Sequence, residues 1–180
     1  MNPDNLTEQL GAMQAEAFGW ALHCCGGDRA LAEDVLQAAC VKVIAGQAQF
    51  TGGAQLKTWW FGVIRFSAFE ELRRERGWRA RLARWVQTMF PGGEETGDPR
   101  PHPARQAELD EQSARLRRCL ARLPARQGEV LHLVFYDNLS IEEAAAVMRV
   151  GLGSARTHYA RGKRRLRELL EQEERNESQR

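Results

Sequence analysis

The sequence contains no apolar run near the roughly 20 residues a helix needs to cross a bilayer. It also has no segment that alternates apolar and polar residues as a half-buried strand does. The first absence argues against a helical membrane protein and the second leaves helices as the regular element in view. Cysteine is sparse, four in 180 residues. Cys24, Cys25, Cys40 and Cys119 include no CxxC pair, so free thiols in a reducing compartment are expected rather than a disulfide framework. His23 beside Cys24 and Cys25 suggests zinc only superficially, because adjacent cysteines converge poorly on one ion. Buried thiols are the reading, and neither metal nor cofactor is expected. The opening MNPDNLTEQLGAM has neither a basic n-region nor an apolar h-region, so a cytoplasmic chain without membrane insertion is expected. No phosphate-binding loop and no partnered base accompany His23, Cys24 or Cys119, and an enzyme is not expected. An excess of one charge is missing too: the formal net charge is +2, which alone says nothing about a nucleic-acid partner.

What is present is a globular composition, 43% hydrophobic and 28% charged, at a length that suits one compact domain or two small ones. The charge is distributed unevenly. Basic residues crowd into 73–84 and 156–167, and acidic ones into 94–98, 108–111 and 168–174. Leu6, Leu10, Met13, Ala17, Trp20 and Cys24 step by four and three, one helical stripe ended by Gly26 and Gly27. Asp28 is placed to cap a second helix whose Leu31, Val35, Ala39 and Val43 face inward. After a glycine-bearing loop comes LKTWWFGVIRFSAFEELRR (56–74), a helix expected to run on toward Trp85. It sets Trp59, Trp60, Phe61, Phe66 and Phe69 among Lys57, Arg65, Arg73 and Arg74. By position Trp59, Val63 and Leu72 read as core. No internal repeat is visible.

PGGEETGDPRPHPAR cannot continue a helix or build a core. It divides the chain into an N-terminal helical domain (1–87), a flexible linker (88–112) locally stiffened by Pro91, Pro99, Pro101 and Pro103, and a C-terminal helical domain (113–180). In the latter, Ser140 begins a capping box with Glu143. Ile141, Ala144, Ala145 and Met148 form a short apolar face, Val150 to Gly153 read as a tight turn, and Ser154 reads as the cap of a second, basic helix. Two short helices joined by a glycine turn fit a helix-turn-helix. Ser154, Arg156, Thr157 and Ala160 then meet base edges, while Arg161, Lys163 and Arg164 neutralise phosphates.

Three segments together resemble the extracytoplasmic-function group of bacterial sigma factors, in the sigma-70 family. GDRALAEDVLQAACVKVI (27–44) is similar to the group's core-binding helix, LKTWWFGVIRFSAFEELRR to its minus-ten helix, and LARLPARQGEVLHLVFYDNLSIEEAAAVMRV with GLGSARTHYARGKRRLRELL to its promoter-reading C-terminal domain. The similarity spans about 13–85 and 109–170, in the family's order.

The resemblance implies an all-α protein of two small helical domains that binds core RNA polymerase and promoter DNA and is held by an anti-sigma factor. It implies a pocket for a flipped minus-ten base at Gly46, Phe50, Val63 and Phe66, with Thr51 in its loop and Arg65, Glu70, Arg73 and Arg74 along the duplex. Bases leaving a stack need apolar faces and cations for their phosphates, which explains the mixture of aromatic and basic residues. Asp34, Gln37 and Lys42 are implied polymerase contacts. The sequence departs from the family pattern at Phe66, where Asn is common, at Ala38 and Cys40, at Gly128 for Arg, at Gly151 for Ser, and at His158 and Tyr159. The alternative is a stand-alone helix-turn-helix regulator that binds DNA as a homodimer without polymerase.

Overall fold

The computed structural model describes the backbone of residues 3–89, 115, 116, 118–120 and 122–177, and the side chains of 5–75, 115, 116, 118–120 and 122–175. The expected linker lies outside these residues from position 90 to its end at 112. All regular structure among the described residues is helical: α1 (Pro3–Ala12), α2 (Gln14–Cys24), α3 (Arg29–Ile44), α4 (Leu56–Met89), α5 (Ala125–Phe135), α6 (Ile141–Met148) and α7 (Leu152–Glu177).

The first stripe is divided between two helices. The Met13 N–H bonds to the Leu10 carbonyl in a tight turn, and Met13 takes φ −97°, ψ 12°. The apolar period survives the break because Leu10, Met13, Ala17 and Trp20 all reach the same core. Gly26 and Gly27 then turn the chain with φ of 66° and 91°, a region open mainly to glycine. Asp28 caps α3, its Oδ1 accepting from the Leu31 N–H at 3.1 Å.

Helices α2, α3 and α4 pack pairwise into a bundle. Its centre is Trp20, whose indole N–H donates to the Phe61 carbonyl at 3.0 Å. On α4 the buried face is Trp60, Phe61, Ile64 and Ala68, while Trp59 and Val63 are only half-buried and pack at its margin. Leu72 is half-buried as well. The buried stripe is rotated from the expected one because α4 is covered from two sides: α2 and α3 on one, α6 on the other.

In the second half, α6 carries the expected capping box: the Ser140 hydroxyl accepts from the Glu143 N–H and the Glu143 carboxylate accepts from the Ser140 N–H. The reversal after α6 is made by Arg149 in the left-handed conformation, φ 53°, ψ 50°, rather than by the glycines. Helix α7 begins at Leu152, so Ser154 sits within its first turn and is not its cap. Gly162 on α7 lets α5 approach closely, since a Cβ there would lie 3.2 Å from Gln127 Cβ and Leu131 Cδ1.

The two halves share one core. Val130, Leu133, Leu139, Ala144, Val147 and Met148 are buried in the same apolar cluster as Trp20, Val35, Trp60 and Phe61. A smaller cluster joins Cys119, Leu123, Leu131 and Leu169 beneath α5 and α7.

Candidate nucleic-acid interface

The aromatic and basic face of α4 begins at the loop after α3. Gly46, at φ 71°, lets the chain leave α3 while the Gln47 and Ala48 N–H groups satisfy the Lys42 carbonyl. Phe50 is half-buried, its ring 5.3 Å from that of Trp59 at 55°, a tilted pair of the kind aromatic quadrupoles favour. Thr51 is exposed and Val63 half-buried. Phe66 is 44% exposed and lies between two cations, Lys42 Nζ and the Arg149 guanidinium, each 5.5 Å from its ring centre. Glu70 binds Lys42 Nζ at 2.6 Å, and Arg73 and Arg74 are exposed, Arg74 pairing with Glu71 at 2.8 Å.

Arg65 is placed differently from its neighbours. It is buried, and its guanidinium donates to both carboxylate oxygens of Glu129 on α5, at 3.2 and 3.4 Å. Arg126 binds the same carboxylate at 3.1 Å. A cleft of about 320 Å³ opens beside this pair, walled by Arg65, Phe66, Phe69, Glu70 and Arg73 of α4 and by Arg126 and Arg149 of the other half. Charge at its rim is mainly positive, with aromatic rings behind it.

The second surface is on α7. Ser154, Arg156, Thr157, Ala160, Arg161, Lys163 and Arg164 are all exposed, while Ala155, Gly162 and Leu169 face inward. Arg156 is held by Glu142 of α6 at 3.2 Å. The Thr157 hydroxyl donates to the Gly153 carbonyl at 2.9 Å, so it serves its own helix. Lys163 Nζ sits 4.8 Å over the Tyr159 ring. The whole basic row is thus presented on one side of a helix-turn-helix unit.

A third surface is on α3. Asp34 and Gln37 are exposed. Lys42 does not accompany them, because its ammonium turns inward to Glu70 and to the Ser67 hydroxyl at 2.8 Å. In its place Val41 and Ile44, 61% and 83% exposed, continue the Asp34 and Gln37 row at helical spacing. The inward stripe legible in the sequence, Leu31, Val35, Ala39 and Val43, left Val41 and Ile44 without an assigned face. The 34, 37, 41, 44 period was the available signal.

Contacts between the halves were also missed. Trp20 and His23 of α2 meet His132 of α5: the two imidazole centres are 4.4 Å apart, and the Trp20 ring is 5.5 Å from each. Burial pushes His132 down to about 3 and lowers His23, whose fall is opposed by the Glu129 carboxylate. Burial also raises Asp137 to about 7, against the pull of Lys57. Lys57 Nζ donates to the Asp137 backbone carbonyl at 2.8 Å and pairs with Glu16 at 2.8 Å. Nothing in the sequence periodicity marks these as partners.

Two family models match the chain: Sigma-70 region 2 over residues 12–79 and Sigma-70 region 4 over residues 113–166. The RNA polymerase sigma factor CarQ of Myxococcus xanthus is 30% identical over 141 residues, 78% of this chain and 75% of that protein. The chain belongs to the sigma-70 family. Within it the matches are to the extracytoplasmic-function (ECF) group: the ECF RNA polymerase sigma factor EcfG of Rhodopseudomonas palustris is 26% identical over 168 residues, 93% of this chain and 86% of that protein. Among solved structures, the sigma factor RpoE of Bartonella quintana, in complex with the anti-sigma factor NepR, aligns with a TM-score of 0.67 at 29% identity, over 93% of this chain and 97% of that one. The function is that of an ECF sigma factor, which binds core RNA polymerase and directs promoter recognition and transcription initiation. No helix among the described residues is long and apolar enough to cross a membrane.

Proposed function

We propose that three surfaces divide the work of this sigma factor, without catalysis of its own and in the cytoplasm. The N-terminal domain (1–87) docks on core polymerase through Asp34 and Gln37, extended by Val41 and Ile44. Exposed apolar side chains flanked by polar ones are the composition of a protein contact, and Lys42 supports this surface from behind by holding Glu70. The loop and outer face of α4 capture and melt the minus-ten element. Gly46, Phe50, Thr51, Val63 and Phe66 supply the apolar seat for an unstacked base, and Arg65, Glu70, Arg73 and Arg74 the duplex side. The C-terminal domain (113–180) reads the minus-thirty-five element with Ser154, Arg156, Thr157 and Ala160 toward the bases and Arg161, Lys163 and Arg164 toward phosphates. The linker (88–112) lets the two domains separate.

One observation carries this reading: a cationic, aromatic surface on α4 and a separate exposed basic row on α7 stand in two parts of one chain. The packing of Arg65 against Glu129 belongs to a closed resting form, in which the C-terminal domain covers part of the minus-ten face. An anti-sigma partner, as bound by the RpoE of Bartonella quintana, would act by holding such a form. Run-off transcription with core polymerase across a library of genomic fragments tests the proposal. Discrete transcripts are expected whose selection relaxes with the Arg156→Ala variant and whose yield falls with Phe50→Ala, and transcripts indifferent to both would overturn the division of labour.

A further inference from the structure

We propose that His23 and His132 form a proton-operated latch between the two halves of the chain, closed while both imidazoles are neutral and released when they take up protons. The inference rests on the closed packing described above. Two histidines, one on α2 and one on α5, face each other with ring centres 4.4 Å apart. Trp20 stacks on His23 at 5.5 Å, and Tyr136 stacks on His132 at 5.1 Å. His23 Cε1 also lies against α5 at Gly128, 3.6 Å from where a Cβ would stand, an ordinary van der Waals distance. Two imidazolium rings at this distance, among apolar rings, would repel each other and lack solvation. Neither ring meets that penalty once the halves part and water reaches it.

The other charged groups set the size of the response. From α5, Glu129 faces His23 but is engaged by Arg65 of α4 and Arg126. From α2, Cys24 lies in the same seam, its thiol held neutral by burial. Past the end of α5, Asp137 Oδ2 lies 3.5 Å from His132 Nε2. Lys57 of α4 bonds the Asp137 backbone and is itself paired with Glu16 of α2.

The signs are opposed. Histidine values depressed in the closed form mean that closure sheds protons, so closure is favoured above the ordinary value near 6.5 and is lost as pH falls below it. Asp137, raised to about 7 when closed, takes up a proton on closure and so favours it as pH falls below 7. Between pH 7.5 and 5.5 His132, depressed to about 3, disfavours closure by about 10-fold, His23 adds a loss of the same sign, and Asp137 favours closure by about 25-fold. In the native chain the two histidines and Asp137 therefore act against each other, with Asp137 moderating the latch.

The test is the closed-to-open ratio of the full chain, read by energy transfer between fluorophores at the exposed positions Ala30 and Arg167, from pH 7.5 to 5.5. Asp137→Asn should leave a loss of closed form of at least about 10-fold, and His23→Gln with His132→Gln should leave a gain of up to about 25-fold. Circular dichroism at both pH values confirms that each variant remains folded, and the single His→Gln variants should fall between. A double variant that titrates like the native chain would overturn the latch, as would a native response of unchanged slope in Asp137→Asn. A native chain already open at pH 7.5 would instead overturn the closed resting form itself.

Discussion

Arg65 and Phe66 are adjacent in the chain, yet one is sealed against Glu129 and the other stands 44% exposed between two cations. Their difference defines what the closed form withholds. An arginine buried with a carboxylate tolerates burial only as a pair, and removing one partner leaves the other charged and unsolvated at a cost of about 3–5 kcal/mol. Glu129→Gln is therefore expected to open the seam rather than unfold the chain, because the N-terminal bundle keeps its own centre at Trp20 and Phe61. Small-angle scattering should report an increased radius of gyration, with helical content retained by circular dichroism. On α7 the expected effects divide by role. Arg156→Ala should relax sequence choice at the minus-thirty-five element, whereas Lys163→Ala should weaken binding evenly and lower the slope of log affinity against log salt by about 1. Binding assays on a set of promoter variants at several salt concentrations separate the two.

At the scale of single elements, legibility depended on whether a signal was local. The Asp28 cap and the Ser140–Glu143 capping box could be read directly, because each needs only residues three apart. Ser140→Ala should lower stability by about 1 kcal/mol, visible as a reduced melting temperature. It should also weaken minus-thirty-five binding, since α6 supports the start of α7. The break at Met13 was invisible because the apolar period runs through it without interruption. The start of α7 was misjudged because Ser154 has the right chemistry for a cap, while the actual reversal uses a non-glycine residue, Arg149, in a left-handed conformation. The rotated face of α4 could not be read either: periodicity reports that a helix has an apolar side, but not that a second helix from elsewhere will cover another.

At the scale of the whole molecule, the all-helical class and its two families of surface followed from composition, helical period and three motifs in order. The joining of both halves into one core did not. Val130, Leu133 and Met148 read equally well as the interior of an isolated C-terminal domain, and burial of Arg65 ran against the usual exposure of a helical arginine. The placing of the α7 row on one exposed helix and its facing side were legible from the sequence, while Arg126, Glu129 and Arg149 came into view only through tertiary packing. On the proposed function, closed packing and promoter capture make competing demands on the same α4 face, and the chain exchanges one set of partners for the other on polymerase.

The central claim is that the α4 face and its loop hold a base that has left the duplex. Run-off transcription with core polymerase, comparing Phe50→Ala with the native chain on a fully paired promoter and on the same promoter mismatched through the minus-ten element, tests it most directly. Loss of one stacking contact, about 1–3 kcal/mol, predicts a fall of about 5- to 150-fold on the paired template and a partial recovery on the mismatched one. Equal activity of the two proteins on the paired template would contradict the account.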